Sequence, residues 1–286
     1  MLPLLLLIAV TAVWGVTFVQ VKDALGLYPL FAFLAVRFAI AGVVLAVPAA
    51  GRVRTLGRDG LWAGAVLGAF LAAGYGLQTA GLERTTVSST GFITGLYVVL
   101  TPLLALLLFR QATRAAVWVG VGLAVVGFAL LSGIDVGEPF GDLLVLISAV
   151  ATAFQIILVE RYAARFDAPA LTLAEMVTAF VGFTAIAVAL GQLEMPHGWT
   201  VWGALLVTGV FASALGYLIQ IWAQRRISAA RTGLVFSLEV VWTGFFGYAL
   251  ADDRLGLAGS TGCAFILAGI LVSEPASAIR TLARRA

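Results

Sequence analysis

Ten runs of about twenty mostly apolar residues follow one another along this chain, and the links between them are too short to fold alone. A helix needs roughly 20 apolar residues to cross a hydrocarbon core, and in lipid every backbone polar group must be satisfied inside the element. Such runs have one solution, the transmembrane helix. They lie at approximately 3–21, 30–49, 60–82, 86–108, 114–132, 141–161, 169–191, 200–222, 229–250 and 256–274. Hydrophobic residues make up 62% of the chain and charged residues 11%, against roughly 45–50% and 25% in ordinary soluble domains. The mean hydropathy of +1.08 points the same way. The expected fold class is therefore an all-α integral membrane protein with no separate soluble domain. The first run has no basic region ahead of it and no small-residue cleavage site, so it is read as a retained span rather than a signal peptide.

The chain also says nearly the same thing twice. Tyr75 and Gln78 recur 142 positions later as Tyr217 and Gln220, Arg84 as Arg226, Thr90–Gly91 as Thr232–Gly233, and Thr101 as Thr243, with no gap. Apolar matches mean little in such a composition, but Tyr, Gln, Arg and Thr in one register mark an internal duplication. It divides the chain into two expected modules, 1–137 and 138–286, of five helices each. Five is odd, so the second module must enter the membrane upside down relative to the first. Inverted repeats are a recurring construction of secondary transporters, whose halves exchange conformations to open a central site to either face.

Basic residues set the orientation. The links 50–59, 109–114, 161–168 and 223–231, with the C-terminal tail, carry thirteen arginines; the opposite links carry only Lys22, Arg84 and Arg254. Both termini are expected on the cytoplasmic side. This use of the arginines, together with the pI near 9.3, leaves no nucleic-acid partner to explain. The one cysteine, Cys263, and the one histidine, His197, exclude a disulfide within the chain and a Cys/His metal site. No phosphate-binding glycine loop is present, so no cofactor or ATP-driven pumping is expected.

The polar residues inside the spans carry what chemistry there is. On the fourth span Thr90, Thr94, Tyr97 and Thr101 are spaced to share one helix face. Their repeat partners on the ninth are Thr232, Phe236, Glu239 and Thr243. Tyr75 and Gln78 on the third span, and Tyr217 and Gln220 on the eighth, lie one turn apart. Lipid cannot satisfy such groups, so they face the bundle interior or a wet cavity. The functional reading is a substrate pathway whose aromatic walls accept apolar side chains or an ammonium group; the bland one is hydrogen bonding between packed helices. The pathway is favoured for Tyr75, Tyr97, Gln78 and Trp242, and for the threonines the two readings stand level. Trp14 is either a cavity wall or a packing aromatic.

Glu239 is the sharpest single residue, because an intramembrane carboxylate is costly and is a functional candidate by default. It either binds a substrate ammonium, carries a coupling proton, is a neutral acid bonded to a helix neighbour, or is paired with a basic group. Arg37 and Glu175 lie inside the second and seventh spans at corresponding places. They are read as structural charges, paired with each other between modules or lining the cavity. Gly60, Gly64 and Gly68 form a small-residue seam on the third span. Pro102 should bend the fourth helix just past its polar stripe, and its repeat partner Gly244 also permits bending. Both are expected hinge points.

The succession of elements resembles the drug/metabolite transporter superfamily with two EamA-type modules. The resemblance rests on Trp14–Gly15 with Phe18, Arg37–Phe38, Gly81–Leu82 leading to Thr85–Thr86–Val87, and Pro102, and it covers essentially the whole chain. The acidic residue usual after the fourth helix of a module is replaced by Phe109–Arg110–Gln111 in the first, while the second has Asp252–Asp253–Arg254. The ninth span has Glu239–Val240 where the family often has Glu–Pro. Within the superfamily the chain is most similar to YddG-type exporters of aromatic amino acids and related metabolites. The resemblance implies a carrier of the bacterial inner membrane that exports small metabolites, amino acids first, by alternating access.

Other classes fit less well. A lipid-modifying membrane enzyme needs clustered acids, bases or metal ligands, and the span interiors hold no His and no Asp. A structural subunit would not require duplicated polar stripes. Among carriers, a sugar-nucleotide exchanger would need several cavity Lys or Arg, and Arg37 is the single candidate; a proton-coupled importer remains an alternative. A small-molecule substrate and the lipid bilayer are the expected partners, and one complete inverted pair per chain lets a monomer work alone.

Overall fold

A computed structural model describes residues 2–82, 84–85, 87–132, 138–251 and 256–273, apart from the side chains of 18, 19, 22, 23, 87–89, 131, 132, 244 and 247–251. Of the residues named above, Thr86, Asp252, Asp253, Arg254 and the tail arginines lie outside the described residues. Every regular element described is helical. Helices α1 (Leu2–Leu25), α2 (Leu30–Ala49) and α3 (Gly57–Leu82) form the first three spans. The fourth is a broken pair, α4 (Val87–Gly95) and α5 (Tyr97–Phe109), followed by α6 (Ala115–Ser132). The second half runs through α7 (Pro139–Ala163) and α8 (Ala168–Ala189) to a three-part eighth span. That span is α9 (Trp199–Val207), a π-helical segment (Thr208–Leu215) and α10 (Gly216–Gln224). A second broken pair, α11 (Ala229–Phe236) and α12 (Leu238–Ala251), and a last helix α13 (Leu257–Ser273) complete it. Each of the ten apolar runs is thus helical. Six stretches, at 30–49, 53–82, 90–109, 139–163, 168–189 and 199–224, are long and apolar enough to cross a membrane, and Leu2–Thr17, Ala115–Leu130 and Leu257–Ser273 are shorter apolar helices.

Local chemistry sets the ends. Glu138 caps α7 by accepting from the Phe140 and Gly141 amides at 3.1 and 2.7 Å, with Pro139 in the first helical position, where a missing N–H costs nothing. Asp167 caps α8 through the Ala170 amide at 3.2 Å. Arg110 closes α5 in the left-handed conformation, φ 54°, its amide on the Leu106 carbonyl.

The packing repeats with the duplication. α2 lies along α8, and α6 along α13, each a pairing of equivalent spans. The remaining large contacts come as mates. α3 packs on α7 as the eighth span packs on α1, and α3 on α8 as the π segment packs on α2. The fourth span packs on α7 as the ninth packs on α1. Most of the burial therefore lies between the halves rather than within them. The two inverted repeats share one core, whose largest buried members include Phe38, Phe128, Phe183 and Met176. Close approach needs small residues. A side chain at Gly64 would meet Ala174, and one at Gly68 the Glu175 carbonyl and Thr178, so the expected seam on the third span is what seats α3 on α8.

The bend in the fourth span differs from expectation. The helix is interrupted at Leu96, within the polar stripe, where the Leu96 and Val99 amides bond three residues back to Ile93 and Leu96 carbonyls at 3.1 and 2.9 Å. Pro102 lies inside the helix that follows. The ninth span breaks at the matching place, Ser237, whose hydroxyl bonds the Leu234 carbonyl at 2.6 Å. It does so with no proline nearby, so the break belongs to the packing of the duplicated fold and not to Pro102. α12 continues through Gly244.

Candidate functional site

Tyr75 and Tyr217, separated by 142 positions in sequence, meet at the centre of the bundle, the Tyr217 hydroxyl donating to that of Tyr75 at 3.3 Å. Each rides on the third span of its half, so the pseudo-twofold axis passes between them. Trp14 stands beside the pair, its ring 5.7 Å from Tyr217 and 4.8 Å from Phe236 between centroids. Its indole N–H donates to the Ala212 carbonyl at 2.9 Å. Ala212 belongs to the π segment, where the altered ladder leaves carbonyls available to side chains. Trp14 is thus held through both its ring and its N–H.

Arg37 enters the same space. Its Nε donates to the Ser213 hydroxyl at 2.7 Å and its Nη2 to the Tyr75 hydroxyl at 3.4 Å. The guanidinium lies 5.3 Å from the Tyr75 ring centre and 5.7 Å from that of Phe38. Arg37 is 7% exposed, and among the described residues no carboxylate lies within ion-pairing distance of it, the ion pair found there being Arg52–Asp167, at the surface. An Arg37–Glu175 pair is therefore not formed. Arg37 turns toward the π segment, whereas Glu175 bonds Gln155 of α7 at 2.7 Å.

Glu239 sits in the first turn of α12, just past the break, where the helix dipole favours a negative group. Its side chain is half-buried and makes no hydrogen bond to a described residue. The Arg37 charge reaches it, and its own charge reaches the hydroxyl of Tyr97, its repeat partner. One buried cation, one half-buried acid and the aromatic surfaces of Trp14, Tyr75, Tyr217 and Phe236 thus share a single region. Beside it Gln78 donates to Thr94 at 3.0 Å.

Other residues of the stripes are placed differently. The hydroxyls of Thr101 and Thr243 bond carbonyls one turn back on their own helices, at 2.7 and 2.9 Å. Thr90 is buried. Gln220 points away from the tyrosine pair, to Gln155 and Gln224 at 3.1 and 3.0 Å. Trp242 packs where α12 crosses Gly15 and stacks on Phe246, its N–H buried without a partner. A cavity of about 410 Å³ lies at the arginine-rich end, away from the tyrosines, lined by Leu6, Arg52, Asp167, Leu218, Trp222 and Arg225 among others.

A family model described as the EamA-like transporter family matches residues 1–133 and again 139–273. The chain belongs to the EamA-like transporter family. It is a multi-pass membrane transporter, and not an enzyme. It is 32% identical over 263 residues to an uncharacterized transporter of Archaeoglobus fulgidus, covering 92% of this chain and 82% of that one. It is 29% identical over 152 residues to the uncharacterized inner membrane transporter YedA of Escherichia coli K12, about half of each chain (52% and 50%). A solved crystal structure superimposes with a TM-score of 0.79 over 98% of this chain and 97% of the other at 20% identity, a likeness of fold.

Three parts of the transporter's buried polar interior had no sequence signal of their own. Ser213 lies in an apolar run that reads as ordinary helix, and nothing marks Thr208–Leu215 as π-helical. Gln224 falls at the edge of a link. Arg37 was visible as an intramembrane charge, but its position beside Tyr75 depends on how α2 meets the π segment.

Proposed function

We propose that this transporter is a secondary carrier that exports small zwitterionic metabolites, amino acids foremost, across a bacterial inner membrane by alternating access. The observation that carries the reading is the uncompensated guanidinium of Arg37. A buried cation held by neutral partners lacks the counter-charge that a carboxylate supplies in a charge-assisted pair, and a substrate carboxylate would supply it. Glu239, within reach of the same space, would take the substrate ammonium, and Trp14, Tyr75, Tyr217 and Phe236 would enclose an apolar side chain. Two inverted modules, 1–137 and 138–286, around one centre provide the means to open it to either face. The excess of arginine in alternate links supports cytoplasmic termini, and one chain holds a whole pathway, so a monomer suffices.

Counterflow in proteoliposomes tests this. Vesicles loaded with unlabelled amino acid should accumulate the labelled form with saturable kinetics, aromatic and branched side chains being preferred over glycine. Absence of saturable counterflow for all amino acids would overturn the substrate class, and saturable counterflow of a phosphate ester instead would replace it.

A further inference from the structure

The residues that the central site does not use include a second polar cluster, buried between α7, α8 and α10. Glu175 and Gln220 are wholly buried, and Gln155 and Gln224 nearly so. They form one continuous chain. Gln155 donates to one oxygen of Glu175 at 2.7 Å; Gln220 donates to the side-chain oxygens of Gln155 at 3.1 Å and Gln224 at 3.0 Å; Gln224 donates to the Ile156 carbonyl at 2.9 Å. Every amide nitrogen in the chain is in use. Two atoms remain without a partner, Glu175 Oε2 and Gln220 Oε1, and both are acceptors. No donor of the cluster reaches either one.

Nor is the carboxylate balanced by charge. From α2, Arg37 is committed to Ser213 and Tyr75. From α3 comes Tyr75, whose hydroxyl already accepts from Arg37 and Tyr217. α7 presents the neutral Gln155, while its Glu160, nearer the helix end, accepts from the Ala229 amide and Gln111. The 3-10 turn Val53–Leu56, which also packs on α8, offers Arg54, a solvent-exposed residue. α10 presents Tyr217, which feels both Glu175 and Arg37. A buried carboxylate with no cation and one empty oxygen takes up a proton rather than remain charged.

We infer that Glu175, held by Gln155 and Gln220, is a proton-binding site separate from the central one and linked to it through Tyr217. The link is short. Tyr217 and Gln220 lie one turn apart on α10, so a change of charge at Glu175 acts on the tyrosine pair through Tyr217, which also feels Arg37. The duplication makes the arrangement specific, since Arg37 and Glu175 occupy corresponding places in the two halves, one permanently charged and one able to switch.

The test needs no transported substrate, so its outcome is independent of the amino-acid reading. Purified protein in lipid vesicles is titrated while infrared difference spectra follow the carbonyl stretch of protonated carboxyl groups. The wild type should show a titrating acid band that Glu175→Gln removes and Glu239→Gln does not. Gln155→Leu, which deletes the donor that favours the charged form, should move the band's midpoint upward by roughly one pH unit or more; this variant also serves if Glu175→Gln does not fold. Tyrosine ring bands should change with the same midpoint in the wild type and stay constant in Glu175→Gln. The same spectra from wild type and folded Glu175→Gln, or an unmoved midpoint in Gln155→Leu, would overturn the assignment. So would a midpoint lowered when sodium chloride replaces choline chloride, which would make sodium the ligand instead.

Discussion

Arg37 shows at the scale of one residue what position does to a charge. Its fork serves Ser213 and Tyr75 along different directions while its face lies near two rings. A lysine would carry the charge but only one nitrogen and no planar face. Arg37→Lys should therefore lower kcat/KM for amino-acid counterflow by about tenfold or more, equivalent to about 1.4 kcal/mol of lost transition-state binding, mainly through KM. Thermal unfolding in detergent should be changed far less, and a large loss of stability with unaltered KM would return Arg37 to a structural role. Glu239→Gln separates the two ends of the substrate. It should raise KM for substrates bearing an ammonium group and leave deaminated carboxylate analogues unaffected; equal effects on both would remove Glu239 from ammonium binding. Some of this was legible in the sequence. The offset of 142 paired Tyr75 with Tyr217, and the structure brings their hydroxyls together at 3.3 Å. Their corresponding places in the repeat could not say that Arg37 and Glu175 stand apart, because matching positions in a repeat need not touch. Each side chain goes to whichever neighbour its own helix presents.

Elements rather than residues decide where the polar groups point. The breaks at Leu96 and Ser237 place Tyr97 and Glu239 at the starts of α5 and α12, turning one continuous stripe into two short helix beginnings at the centre. No residue type marks those breaks, whereas the missing N–H of proline pointed to a bend at Pro102 instead. Pro102 still removes an N–H and crowds the Val98 carbonyl four residues back, close to the break. Pro102→Ala should lower turnover several-fold with KM little changed, provided the hinge is used in each cycle; unchanged turnover would dismiss it. Packing between elements gives a stability prediction with its own control. At Gly120 of α6 a Cβ would lie 2.5 Å from the Gly269 carbonyl of α13, whereas Gly122 has nothing within 4 Å. Gly120→Ala should destabilise the protein by about 1–3 kcal/mol through overpacking, and Gly122→Ala should be neutral or slightly stabilising, as expected in an open helical position. Thermal melts of the two variants in one detergent compare them directly.

For the whole molecule, inversion makes the fold almost indifferent to which way up it sits. The packing of each half on the other is the same after exchange, so the contacts of the core do not choose an orientation. The chemistry does, because the exchange would put Glu175 where Arg37 was and Glu239 where Tyr97 was. Something outside the core must hold the asymmetry, and the thirteen arginines against three basic residues in alternate links are the bias expected to do it. The consequence is measurable with single cysteines in a background where Cys263 is replaced by serine. Thr55→Cys, exposed in the arginine-rich link after α2, should react with a membrane-impermeant maleimide only after cells are permeabilised. His197→Cys, exposed in the link between α8 and α9, should react in intact cells. Labelling of both positions from one side would contradict the topology, and partial labelling of each from both sides would mean that two orientations coexist. In that second case the arginine bias would be too weak to set direction, and moving the substitutions Arg52→Gln and Arg54→Gln into the same background should not change the ratio; if the bias governs, those two changes should raise the fraction of inverted chains.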